Sequence, residues 1–277
     1  RGKMLGGSSS HNGMVHVRGN AKDFDNWGQL GLTDWTYDKI LPYFKKSESV
    51  EGLDANFRGD SGPLKLSRST NGNILSQVYL NAAQQAGYQI NNDMNGKEQE
   101  GFGLMDTTIF NGKRQSTSVT YLHPIKHRSN LEILTNVTVN KILFENKKAV
   151  GVECKANGKN NKYFSTKEVL LSAGAINSPQ LLMLSGIGPE KELSNHNIEP
   201  VECLEGVGKN LQDHLETYVQ YKCKKPVTLH SAQNPLKMAL IGAEWFLFKT
   251  GVAAHSNLET GGFVKSNEMS DYPNIQF

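Results

Sequence analysis

The apolar period of this chain changes near residue 131, and the pattern beyond that point allows few folds. Leu131–Leu134, Val139–Glu145, Ala149–Cys154 and Lys167–Ser172 are four predicted strands rich in Val, Ile and Leu. Asn146-Lys147-Lys148 predicts a hairpin turn between the middle two. The last predicted strand runs into Ala173-Gly174-Ala175 and then into a helix over Ser178–Leu184. Strand, tight glycine turn and helix together set a helix N-terminus beside a ligand, as α/β proteins do.

Before residue 131 the pattern is helical or irregular. Residues 1–32 read as an ordered Gly-rich loop with short helical turns. Asp34–Ser49 is helix-like, with Ile40, Leu41 and Phe44 on one face and Pro42 breaking or kinking it. Pro63–Leu66 is a short strand candidate. Asn73–Ala86 is the clearest helix: Ile74, Leu75, Val78, Tyr79, Ala82 and Ala86 recur at helical spacing, and Gly87 caps it. The most apolar stretch, Leu236–Phe248, is interrupted by Lys237 and Glu244. It is too short to span a bilayer and reads as an amphipathic helix.

Charge excludes one class of function. The net charge of +3 is scattered, so no basic stripe marks a nucleic-acid surface. Cys154, Cys203 and Cys223 are odd in number and form no CxxC pair, which argues against a disulfide framework or zinc; no metal site is expected. Reduced thiols and the lack of a signal peptide point to a cytoplasmic protein, with peripheral membrane attachment left open. The chain begins inside a Gly-rich motif and stops where a strand begins. It is therefore expected to be the middle portion of a longer polypeptide, lacking both termini.

The most informative stretch is Arg1-Gly2-Lys3-Met4-Leu5-Gly6-Gly7-Ser8-Ser9-Ser10-His11-Asn12-Gly13-Met14-Val15-His16-Val17-Arg18-Gly19. Gly6 and Gly7 let backbone approach a flat or anionic ligand, while the serines and Asn12 offer uncharged hydrogen-bonding groups. A flavin with a pyrophosphate tail needs that combination. A flexible linker would not carry Met, Val and Arg at fixed places among its glycines.

This stretch resembles the first signature of the glucose–methanol–choline (GMC) oxidoreductases nearly position by position. Gly174-Ala175-Ile176-Asn177-Ser178-Pro179-Gln180-Leu181-Leu182-Met183-Leu184-Ser185-Gly186-Ile187-Gly188-Pro189 resembles the second, and Gly206-Val207-Gly208-Lys209-Asn210-Leu211-Gln212-Asp213-His214-Leu215 also fits the family. The choline-oxidising branch fits best, through Gln99-Glu100-Gly101-Phe102-Gly103, Ile241-Gly242-Ala243-Glu244-Trp245 and Glu259-Thr260-Gly261-Gly262-Phe263.

The resemblance implies an α/β fold: a doubly wound FAD-binding domain interleaved with an antiparallel-sheet substrate domain, only part of which is present. Residues 1–60 and 125–220 would belong to the FAD domain, and 61–124 and 221–277 to the substrate domain. Leu5, Gly6, Gly7, His11, Asn12, Gly13, Met14 and Val15 would line the flavin. The Val137 backbone would meet the adenine, and Ala173 and Gly174 would sit near the cofactor. In a choline-oxidising relative with a similar Gly-Gly-x-Ser-Ser-His-Asn run, the histidine holds the flavin covalently, which makes His11 a candidate for that link. Glu259 matches the carboxylate that binds the substrate cation.

The family's GxGxxG fingerprint and catalytic His are absent. None of the eight histidines matches that motif, so no general base is assigned; His123, His127, His196, His230 and His255 read as surface or loop residues, and His214 stays ambiguous. The implied activity is oxidation of choline to betaine aldehyde, in glycine betaine biosynthesis, with electrons passing to a respiratory acceptor or to oxygen. The alternatives are another primary alcohol as substrate or a non-catalytic remnant. A nicotinamide-linked dehydrogenase is disfavoured by the missing fingerprint and its acidic partner.

Overall fold

The computed structural model describes residues 2–69 and 72–277; Arg1, the first residue of the N-terminal motif, lies outside the described residues. In chain order the strands are β1 Val15–His16, β2 Glu48–Ser49, β3 Leu64–Lys65, β4 Ser67–Arg68, β5 Gly101–Leu104, β6 Asp106–Thr107, β7 Ile109–Phe110, β8 Lys113–Arg114, β9 Val137–Glu145, β10 Lys148–Ala156, β11 Lys159–Phe164, β12 Ile187–Gly188, β13 Glu202–Cys203, β14 Thr260–Val264 and β15 Ile275–Gln276. The α-helices are α1 Ala21–Gln29, α2 Tyr37–Ser47, α3 Ile74–Gln85, α4 Gly174–Leu184, α5 Glu190–Asn195 and α6 Pro235–Phe248. The chain mixes helices and sheets as an α/β protein.

Two compact units result. One combines Arg1–Leu131 with Tyr221–Phe277, and the other is Glu132–Gln220. In the first, β14 lies between β5 and β15, antiparallel to both, with Gly103 opposite Gly261. α3 covers this sheet because Leu80 and Ala83 pack on Phe102 and Val264. Met94, Met105 and Phe263 form a second buried cluster against Val15 and Val17. In the other small sheet β6 lies between β1 and β4, with His16 and Arg68 both opposite Asp106. The chain entering from the N-terminal motif is thereby stitched into the core.

The second unit is a meander, β9–β10–β11, followed by α4, α5 and the parallel pair β12–β13. Asn146 and Lys147 both take positive φ, 49° and 65°, the mirror-image turn that a twisted hairpin needs. Ser185, fully buried at the end of α4, accepts the N–H of Ile142 at 2.8 Å and so ties helix to strand.

Several expectations are corrected. Leu131–Leu134 and Lys167–Ser172 are not strands: no strand among the described residues lies alongside to take their hydrogen bonds. The helix after Ala173 starts four residues early, at Gly174, and carries Pro179 within it. The helix expected over Asp34–Ser49 begins only at Tyr37, after a 3-10 turn at Thr33–Trp35, and Pro42 lies at its midpoint. Residues 1–32 hold a full helix, α1, closed by a capping box between Asn20 and Asp23. α6 is not amphipathic: Leu236, Met238, Leu240, Phe246, Leu247 and Phe248 are all exposed, spread around the helix. Only Ile241, Trp245 and the capping Lys249 turn one half-buried face inward.

Candidate functional site

The N-terminal motif folds into a tight loop in the first unit. Gly6 and Gly7 have φ of 89° and 54°, where a side chain would be strained, and a 3-10 turn follows over Gly7–Ser10. Ser9 Oγ donates to the Gly6 carbonyl at 2.5 Å, and Ser10 Oγ to that of Leu5 at 2.8 Å. Asn12 Oδ1 accepts the N–H of Met14 at 3.1 Å. That bond helps hold Met14 at φ 62°, a conformation costly for a non-glycine residue. The Met14 carbonyl in turn accepts the N–H of Thr108 at 2.8 Å.

The loop is gripped from one side by the segment after β7. Arg114 Nη1 lies 2.8 Å from both Asn12 O and Asn12 Oδ1 and 3.2 Å from Ser9 O. Thr117 donates its N–H to Ser9 Oγ at 3.0 Å and its hydroxyl to the Gly6 carbonyl at 3.2 Å. The other side stays open. A Cβ placed on Gly7 would meet nothing within 4 Å, and Met4, Leu5 and His11 are exposed beside it. An open glycine, exposed apolar side chains and uncharged hydroxyl and amide groups suit a flat heteroaromatic ring with polar edges. Leu5, Gly6, Gly7, His11, Asn12, Gly13, Met14 and Val15 are therefore one continuous structure. Val137 at the start of β9, and Ala173 and Gly174 at the start of α4, belong to the second unit. There Gly174 has φ 90° and Ala173 donates its N–H to Ser178 Oγ at 3.0 Å.

Glu259 adjoins the loop through its neighbour. Leu258 Cδ1 would lie 3.1 Å from a Cβ on Gly13. Glu259 Oε2 accepts the Ser76 hydroxyl at 2.9 Å and the Asn73 N–H at 3.4 Å, so the carboxylate sits at the N-terminus of α3. Oε1 takes no hydrogen bond among the described residues. A cavity of about 240 Å³ lies nearby in sequence, lined by Arg68, Thr107, Lys249 and His255 among others. Another of similar volume is lined by Arg18, Asn20, Gln99 and Tyr272 and touches none of the predicted site residues.

A buried ionic network escaped the sequence reading. Glu48, only 1% exposed, bridges Arg18 at 2.7 Å and Arg58 at 2.8 Å and meets His16 Nε2 at 3.2 Å. Arg58 continues to Asp93 and Asp106, and Arg68 also approaches Asp106. Burial pushes the Glu48 carboxyl up, but hydrogen bonds from His16 and Arg58 and the charges of Arg58 and Arg18 outweigh it and hold the group at about 2. His16 and Arg18 lie directly after the loop, so this network anchors it. Their partners are scattered over some ninety residues of sequence, and no local spacing announces them. Of the other histidines, His123 and His214 are exposed.

A family model described as GMC oxidoreductase matches residues 1–216. The chain belongs to the GMC oxidoreductase family. Within that family it is 51% identical over its whole length to human "Choline dehydrogenase, mitochondrial" and 49% identical to the "Oxygen-dependent choline dehydrogenase" of Staphylococcus saprophyticus, covering 47% and 50% of them. The chain thus spans about half the length of these relatives. Among solved structures it is similar to an FAD-dependent oxidoreductase from Chaetomium thermophilum, with TM-score 0.81 and 30% identity over 94% of this chain and 48% of that one. FAD is the cofactor of this family, and the open face of the loop fits it. Among the described residues no helix is long and apolar enough to cross a membrane, and the three cysteines are free.

Proposed function

We propose that the whole protein oxidises choline to betaine aldehyde. The observation that carries this reading is identity near one half across the entire chain with choline dehydrogenases. FAD, when bound, supplies the hydride acceptor. The chain's own share of the work is to hold that group and to recognise a quaternary ammonium. We assign residues 1–60 and 125–220 to the flavin side and 61–124 and 221–277 to the substrate side. The loop Leu5–Val15, with Val137, Ala173 and Gly174, holds FAD. No histidine of this chain is assigned as the proton acceptor. Electrons leave to a respiratory acceptor or to oxygen.

A quaternary ammonium has no N–H to donate, so charge and aromatic faces must recognise it. Glu259 fits the charge requirement. Its Oε2 is oriented by Ser76 and Asn73, and it borders the flavin loop through Leu258. A carboxylate about 4 Å from a cation gains roughly 4 kcal/mol at an effective dielectric of about 20. In the full-length enzyme, Glu259→Gln is expected to weaken choline binding at least tenfold more than binding of the uncharged tert-butyl analogue. Inhibition constants for the two ligands check this. Equal losses would remove Glu259 from the substrate site and favour another alcohol as substrate.

A further inference from the structure

The first unit also shows what holds the flavin loop in shape. β7 and β8 form a two-residue hairpin whose turn, Asn111-Gly112, has φ of 49° and 65°. Its tip is pinned by the end of α6. Trp245 Nε1 donates to the Gly112 carbonyl at 2.7 Å, and a Cβ on Gly112 would come within 1.9 Å of the Lys249 carbonyl. Lys249 is itself fixed, in the left-handed conformation with its ammonium 4.0 Å from the Trp245 ring centre. At the other end of the hairpin, Gln115 N–H bonds the Thr108 carbonyl at 2.8 Å, while Thr108 N–H bonds that of Met14. Two residues before Ser116, the guanidinium of Arg114 leaves the hairpin and reaches three oxygens of the loop.

We infer that Arg114 is a positioning residue for the flavin: it fixes the curvature of the Ser9–Asn12 loop, and α6 aims it through Trp245 and Gly112. Three features carry this. Ser9 O, Asn12 O and Asn12 Oδ1 all lie within hydrogen-bond reach of one guanidinium nitrogen, so a single side chain held on β8 ties the two ends of the Ser9–Asn12 turn together. Asn12 Oδ1 is shared between Arg114 and the Met14 N–H, so loss of the guanidinium frees the amide that restrains the strained Met14. The open face at Gly7 lies on the same loop, so a change of curvature moves the surface offered to the ring. The inference rests on the reading of this loop as the flavin contact.

The test uses the full-length enzyme, with Arg114→Met, Arg114→Lys, Lys113→Met as a neighbouring control and Gly7→Val as a probe of the loop itself. FAD affinity is measured by fluorescence on refilling the apoprotein. Visible circular dichroism and the midpoint potential of the flavin are then measured at saturating FAD, where lost affinity no longer contributes. Arg114→Met is expected to weaken FAD binding at least tenfold and to alter the dichroism and potential of the bound flavin. Arg114→Lys keeps the charge but puts it on a shorter, more flexible stem, and is expected to retain at least a threefold loss and part of the spectral change. Lys113→Met is expected to match the wild type. If Arg114→Met does not fold, Arg114→Lys decides on the same terms. Full recovery with Lys, or wild-type values in both Arg114 variants while Gly7→Val loses FAD, would overturn the role of Arg114 and leave the loop reading intact. Wild-type FAD binding in Gly7→Val as well would overturn both.

Discussion

Glu48 is an acid kept charged in the interior by the groups around it. Its folded value, about 2, lies below the ordinary glutamate value of 4.5, so the charged form is favoured in the folded state. The stabilisation is therefore fully present above about pH 4.5 and is lost as pH falls through about 2. A shift of that size corresponds to about 3 kcal/mol. Urea unfolding of the full-length protein at pH 6, 4 and 2.5 is expected to show this decline. Glu48→Gln should flatten it, while costing about 3–5 kcal/mol at neutral pH because Arg18 and Arg58 lose their shared counter-ion. His11 offers a different test. It is exposed beside the open face of the loop, as a histidine must be to attack a flavin methyl group. Acid precipitation of the FAD-loaded full-length protein should leave flavin absorbance in the pellet, and His11→Ala should lose it. Flavin released wholly to the supernatant would make His11 an ordinary contact.

The elements that sequence resolved best were those whose signals are local. α3 was legible because its apolar spacing and its capping Asn73 lie within one window, and the β9–β10 turn because of its Asn146. β11 was missed although Asn157-Gly158, with φ of 51° and 77°, is a strong hairpin signal; its strand, Lys-Asn-Asn-Lys-Tyr-Phe, is polar and largely exposed and shows no apolar alternation. Leu131–Leu134 and Lys167–Ser172 failed for the opposite reason: their composition suits a strand, but pairing depends on partners that composition does not report. The tight turn of the N-terminal motif was legible in its own glycines and serines, whereas Arg114 and the network around Glu48 were not, since their contacts bridge distant segments. The two hairpin glycines separate backbone strain from crowding. Gly158 has open space where a Cβ would go, so Gly158→Ala should cost about 1 kcal/mol. Gly112 carries the same strain plus a clash with the Lys249 carbonyl, so Gly112→Ala should cost clearly more. Equal shifts in urea midpoint would contradict the packing of α6 against this hairpin.

At the scale of the molecule, the 277-residue chain carries the Leu5–Val15 loop but neither the GxGxxG fingerprint nor a histidine in the family's catalytic motif. Expressed by itself it is expected neither to retain FAD through gel filtration nor to oxidise choline. A yellow preparation bleached by choline would contradict this. The division into two compact units has a consequence for synthesis. Glu132–Gln220 is continuous and rich in neighbouring-strand pairs, so the partners within its meander have left the ribosome soon after residue 164. The other unit is split. β5 must wait for β14, more than 150 residues later, before its sheet can form, and Phe102 and Leu80 stay without Val264 until then. The later-arriving unit is the one that holds the Leu5–Val15 loop, so on a growing chain the meander closes before the sheet of that unit can form.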